Sequence, residues 1–175
     1  MDGPFSEEIK KLRPRRPLYL ILENVLDTYN IGGFFRLADA VGAEKIYLCG
    51  GSATPPDPKI IKASVGTYKL VPWEYKKTAS EAVQELKAIK RMRIIAVEQS
   101  SGSLDYRDIA YRLPVAFLFG NETSGLSDEA LNSVDGVAEV PMYGINKSLN
   151  VMVAAGVVLY RALERWPRRL SSRGI

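Results

Sequence analysis

Compact apolar runs of strand length alternate with polar-faced segments along most of the chain. "LYLILE" (Leu18–Glu23) and "KIYLCG" are two such runs, and "GVAEVPM" is a further strand. "RIIAVE" (Arg93–Glu98) and "PVAFLFG" (Pro114–Gly120) are continuously apolar, as strands buried on both faces are. Helical spacing appears in "NIGGFFRLADAVG", where Phe34, Leu37, Ala38 and Val41 share a face, with Asn30 as cap and Gly42 as stop. "PPDPKIIKASVG" predicts a loop and a short helix closed by Gly66, and "YKLVPW" a short strand. An amphipathic helix is expected from Thr78 to Lys90, and a helical turn capped by Ser127 in "SDEALNSV". The last helix should run from about Ser148 to Arg165. Strands separated by helices imply an α/β fold with a mostly parallel sheet.

Composition narrows the chemistry. At 175 residues the chain is expected to form one domain, over 18–166, with basic extensions at 1–17 and 167–175. It contains no histidine and one cysteine. That excludes Ser-His-Asp and Cys-His hydrolases, His-ligated or thiolate zinc, and an internal disulfide. No metal is therefore expected, and catalysis is left to carboxylate, Arg, Lys, Ser, Tyr, backbone dipoles or an organic cofactor. No apolar run approaches the ~20 residues that span a bilayer, and Met1 to Lys11 lacks the apolar core of a secretion signal. A cytoplasmic protein is expected. The net charge of +4 is concentrated near the ends, at Lys10, Lys11, Arg13, Arg15 and Arg16 and at Arg161, Arg165, Arg168, Arg169 and Arg173. These are either solvated tails or contacts for the phosphates of a nucleic acid.

Three loops leave strand ends with more polar chemistry than a turn requires. In "ENVLDTYNIGGFFR", Asn30 and Arg36 lie on the entry and first turns of a helix, about one and two-thirds turns apart. Arg36 is either a rim arginine or a guanidinium offered to phosphate or ribose oxygen. In "FLFGNETSGLSDE", Gly120 ends a buried strand and Asn121 and Glu122 follow it, Glu122 suited to orienting a hydroxyl. "VPMYGINKSLN" offers Val140 and Met142 as apolar, backbone-presenting walls for a flat heterocycle. It then places Ser148 and Asn150 at a helix start; a simple cap accounts for Ser148 and leaves Asn150 unexplained. No G-x-G-x-x-G follows a strand and there is no P-loop, so a dinucleotide-binding or nucleotide-hydrolysing Rossmann protein is not expected.

In this order, "NIGGFFRLADAVGAEKIYL", "LFGNETSGLS" and "VPMYGINKSLNVMVAAGVVLY" resemble the three motifs of the SpoU (TrmH-like) branch of the SPOUT RNA 2′-O-ribose methyltransferases. The likeness runs from about Leu18 to Leu163. It implies an α/β fold with a C-terminal trefoil knot, S-adenosylmethionine as cofactor, and a homodimer with its active site at the interface. The resemblance assigns Arg36, Asn30, Glu122, Ser148 and Asn150 to catalysis. Val97, Glu98, Gly120, Val140, Met142 and Leu149 are its cofactor contacts. It implies RNA as the partner, tRNA before rRNA, with a catalytically weak RNA-binding module as the alternative class. A base-methylating SPOUT enzyme would differ around residues 120–125 and 144–150. Two departures stand out: "DTYN" where many relatives carry a proline, and no separate RNA-binding domain in the sequence.

Overall fold

The computed structural model describes residues 15–164 and Trp166. Of the basic residues near the ends, Lys10, Lys11, Arg13, Arg165, Arg168, Arg169 and Arg173 lie outside the described residues. The chain runs β1 (Arg16–Glu23), α1 (Thr28–Val41), β2 (Ala43–Cys49), α2 (Pro58–Ser64), β3 (Trp73–Lys76), α3 (Ala79–Lys87) and β4 (Arg93–Val97). It continues through β5 (Leu104–Asp105), β6 (Val115–Phe119), α4 (Asp128–Asn132), β7 (Gly136–Glu139) and α5 (Val151–Leu163). Seven strands form one sheet in the order β3-β2-β1-β6-β4-β7-β5, and every strand pairing is parallel.

Both faces of the sheet are covered, which is why its central strands are apolar at every position rather than at alternate ones. Leu20 and Leu22 of β1, with Phe117 and Phe119 of β6, pack under Phe34 and Phe35 of α1 and Val158 and Leu159 of α5. The rings of Phe34 and Phe119 lie 5.1 Å apart. On the opposite face, Ile21, Ile94 and Leu118 pack against Val83 and Leu86 of α3 and Ala130 of α4. Each such fully buried large side chain contributes ~1.5–3 kcal/mol of transfer free energy.

Strand order reverses between β1 and β6, and this positions the site. The chain proceeds outward from β1 through β2 to β3 on one side, then crosses to β4 on the other, and β6 later fills the place between β1 and β4. In such sheets the loops leaving the two strands part at their carboxyl ends and open a crevice. Register brings those ends level: Leu22 lies opposite Phe119, and Val97 lies between Phe119 and Ala138.

Several expectations need correction. Asn30 is not the cap of α1. Asp27 is, its carboxylate accepting the Tyr29 N–H at 2.8 Å, so the helix starts three residues earlier. Gly42 does stop it, at φ 68°. Ser148 is not a cap either: α5 begins at Val151, and Asn150 accepts the N–H groups of Met152 and Val153 at 3.0 and 3.3 Å. Within "YKLVPW" the first part is a 3₁₀ turn over Thr67–Lys69, and the strand starts only at Trp73. Helix α2 closes at Val65, which takes a left-handed φ of 50° before Gly66. The two-residue β5 was not expected; so short a segment has no periodicity to read. Arg15 and Arg16, placed with a basic extension, are tied to the fold. Arg15 donates to the carbonyls of Glu44 and Leu70, and the Arg16 N–H to that of Gly42 at 2.8 Å.

Candidate active site

Loops from β1, β6, β4 and β7 meet at the carboxyl edge of the sheet. Asn24, just past β1, takes φ 53°, and its side-chain carbonyl accepts the Gly51 N–H at 2.8 Å. Asn121, just past β6, donates from its amide to the Asn24 carbonyl at 2.8 Å. Its side-chain oxygen accepts the N–H groups of Thr123 and Ser124, which turns the chain. Glu23 is buried and accepts both the N–H and the hydroxyl of Ser127, at 2.9 and 2.8 Å. The end of β1 thus holds the start of α4.

Gly120 serves the loop itself. A Cβ there would sit 2.5 Å from the Gly125 carbonyl carbon and 2.6 Å from the Leu126 nitrogen. Its missing side chain lets two backbone segments touch, rather than opening space for a ligand. Glu98 is likewise tied inward, accepting the N–H groups of Gln99 at 2.8 Å and Leu126 at 3.1 Å.

The three polar loops are joined by one hydrogen-bonded chain. The buried Asn30 donates its amide to Glu122 Oε1 at 2.9 Å, and Asn150 donates its amide to Asn30 Oδ1 at 3.1 Å. Glu122 also accepts the N–H groups of Leu26 and Asp27, at 3.4 and 3.3 Å. The direction of each bond is set at the ends: Asn150 Oδ1 must accept the helix N–H groups, so its NH₂ faces Asn30, and a carboxylate can only accept. Burial pushes the Glu122 carboxyl up, but the Asn30 amide and the backbone N–H groups outweigh it and hold it below its ordinary value. Glu122 is therefore a charged anchor at neutral pH and a poor proton acceptor.

Beside this chain lies a cleft of about 180 Å³. Of the expected cofactor contacts, Val97, Glu98, Gly120, Val140 and Leu149 line it, as do the expected catalytic residues Glu122 and Ser148. Met142 does not; it lines a neighbouring depression with Gly144 and Asn146, and the two share Gln99. Phe119, Gln99, Thr123, Gly125, Val151 and Ala154 also line the cleft and were not expected. Most adjoin residues that were, and the signal for them was simply proximity to a strand end. Asp27 was missed as well, although an Asp just ahead of an apolar-periodic segment is an ordinary cap signal.

Arg36 is exposed on α1 and, among the described residues, makes no hydrogen bond or ion pair. Gly32 faces α2, where an added Cβ would meet Ala63 Cβ at 2.4 Å; Gly33 faces α5, where it would meet Met152 Cγ at 3.0 Å. One turn on, Arg36 falls angularly between the two. Cys49, by contrast, is buried, and burial pushes its thiol up to about 12, so it is no nucleophile. Among the described residues no three His, Cys, Asp or Glu side chains group as a metal site would, and no helix is long and apolar enough to cross a membrane.

A parallel sheet with a polar-rimmed cleft at its reversal point, closed by a C-terminal helix, defines the α/β class that holds an organic cofactor at strand ends. The chain belongs to the SpoU rRNA methylase family, whose model matches residues 17–160. It is 36% identical over 154 residues to a tRNA (guanosine(18)-2′-O)-methyltransferase of Thermus thermophilus, covering 86% of this chain and 77% of that one. The AdoMet complex of the SpoU methyltransferase AviRb from Streptomyces viridochromogenes superposes with a TM-score of 0.78 at 27% identity. That match covers 91% of this chain, which spans 64% of the AviRb chain. A structure concerned with 2-OH methylation of C/U34 on tRNA gives a TM-score of 0.74 at 27% identity, covering 83% of this chain and 93% of that one.

Proposed function

We propose that this protein transfers a methyl group from S-adenosylmethionine to a ribose 2′-hydroxyl of RNA, with tRNA as the substrate class. The observation that carries the reading is the Asn150–Asn30–Glu122 chain, which ties three separate loops into one rigid rim beside the cleft. The cleft lining fits the cofactor's chemistry: Val97, Phe119, Val140 and Leu149 are apolar, as a flat heterocycle needs, and Glu98, Gln99, Thr123 and Ser148 add polar groups that can fix its orientation. When bound, S-adenosylmethionine supplies a methyl group on a positively charged sulfur that departs as a neutral thioether.

This chain's residues then have two tasks, alignment and charge. Glu122, held ionised, fixes Asn30, and Asn30 fixes Asn150, so a ribose brought to this rim would meet groups already in place, without costly reorganisation. Arg36 stabilises the developing alkoxide or grips the adjoining phosphate, for which its unengaged guanidinium is suited. Ser148, at the cleft, supplies a further hydroxyl to the rim.

The reading includes a homodimer, a cytoplasmic location and a C-terminal knot formed around the 140–150 segment. Support for the dimer comes from α5, which exposes Val153 and Tyr160 on one apolar stripe, and from Arg36, which shares no hydrogen bond with the Asn150–Asn30–Glu122 chain of its own protomer.

Incubation of the protein with labelled cofactor and either tRNA or rRNA, followed by nucleoside analysis, tests the proposal. A 2′-O-methyl nucleoside from tRNA is the expected product; label in rRNA alone would favour the alternative substrate. Arg36→Ala should lower turnover by about a hundredfold or more while cofactor affinity stays near wild type. Cofactor binding without methylation of any RNA would make the protein a binding module.

A further inference from the structure

We propose that Tyr29 is a stacking platform for an unpaired base of the RNA substrate, beside the nucleotide whose ribose is methylated. The inference rests on the reading above and goes beyond it in naming how the substrate is gripped. Tyr29 is 56% exposed, and its neighbour Leu26 is 59% exposed, whereas Phe34, Phe35, Phe117 and Phe119 are wholly buried. Among the described residues the Tyr29 hydroxyl has no hydrogen-bond partner. The ring nevertheless stands on a fixed base. Its own N–H is held by Asp27, and the N–H groups of Leu26 and Asp27 are held by Glu122. Tyr29 therefore presents an open aromatic ring on a held backbone, one residue from Asn30.

Spacing links it to Arg36. Seven residues on a helix are almost two full turns, so the two side chains share a face about 10.5 Å apart along the axis. Helix α2, packed against α1 at Gly32, adds the exposed Lys59 and Lys62 alongside. A cationic face with one open aromatic ring is the arrangement that holds single-stranded nucleic acid: charge follows the phosphates and the ring takes a base. The reaction calls for it. A ribose brought to an in-line methyl donor must leave its helical neighbours, and the bases beside it lose stacking that a protein ring restores.

The test uses three variants of the full-length protein. Tyr29→Ala should raise KM for the RNA about tenfold or more, with kcat, cofactor affinity and oligomeric state near wild type. Tyr29→Phe should behave as wild type, because the ring and not the hydroxyl does the work. Tyr29→Trp should lose fluorescence when RNA is added and keep it when cofactor alone is added. An unchanged KM in Tyr29→Ala, a defect in Tyr29→Phe as large as in Tyr29→Ala, or loss of the dimer in Tyr29→Ala would overturn the assignment. Absence of methylation by the wild type would sink the functional reading instead, and the fluorescence response to RNA would still decide Tyr29.

Discussion

Glu122 receives N–H donors from three residues, and all of them point at a carboxylate. Replacing it with Gln removes the charge and turns an NH₂ donor toward N–H groups that need acceptors. At neutral pH Glu122→Gln should lower stability by about 0.5–1.5 kcal/mol, toward the lower end because solvent screens this partly exposed group. Turnover should fall about tenfold to a hundredfold, since Asn30 loses its orientation. The pH dependence has a definite sign. The folded pKa of Glu122 lies below the unfolded one, so the carboxylate's contribution is complete above the unfolded value, about 4.3, and fades as pH falls through the lower folded value. Urea unfolding of wild type and variant should therefore differ at pH 7 and converge in acid. A stability gap that persists or widens in acid would show that the Glu122 charge is not what holds the rim.

At the scale of elements, α1 owes its position to two adjacent glycines with different neighbours. An alanine in a helix interior is favoured over glycine by ~1 kcal/mol, so Gly32→Ala and Gly33→Ala would both stabilise an isolated helix. In the fold they diverge. The Gly32 Cβ would lie 2.4 Å from Ala63 Cβ and 3.0 Å from α2 backbone, which cannot yield without moving α2. The atoms nearest a Gly33 Cβ would all belong to the Met152 side chain, the first at 3.0 Å, and a flexible thioether can swing aside. Thermal melts should show Gly32→Ala destabilised by about 1–3 kcal/mol and Gly33→Ala close to wild type. This contrast also marks what could be read in advance. The strands were legible because burial on both faces demands continuous apolar runs, and Gly42 because a helix stop needs its positive φ. Clefts at strand ends followed from parallel topology. Asn30 is not the cap because Asp27, three residues earlier, already takes that role by accepting the Tyr29 N–H, and Asn30 spends its amide and carbonyl on Glu122 and Asn150. The roles of Gly120 and Glu98 depend on contacts to residues 125 and 126, and such tertiary approaches leave no mark in periodicity.

For the molecule as a whole, the proposed dimer would form through the outer face of α5. Val153, Gly156, Val157 and Tyr160 recur at helical spacing, and a Cβ built on Gly156 meets nothing within 4 Å. Within one protomer Gly156→Leu is thus unopposed, and helix propensity favours it by ~0.8 kcal/mol. If two copies pack there, the same change should leave the protomer folded and shift sedimentation from dimer to monomer. Retention of the dimer would move the interface elsewhere. Whether the partner completes the site is a separate question, answered by mixing two inactive variants. Arg36→Ala removes the guanidinium; Asn150→Ser keeps a good cap for α5 but deletes the amide donated to Asn30. Were Arg36 to serve its own protomer, every site in every mixed dimer would still lack one group. If it serves the partner's site, each heterodimer regains one intact site, and random subunit exchange restores about a quarter of wild-type activity. Recovery near that level, dependent on exchange and abolished by Gly156→Leu in both chains, is the expected result; no recovery after demonstrated exchange would confine Arg36 to its own protomer.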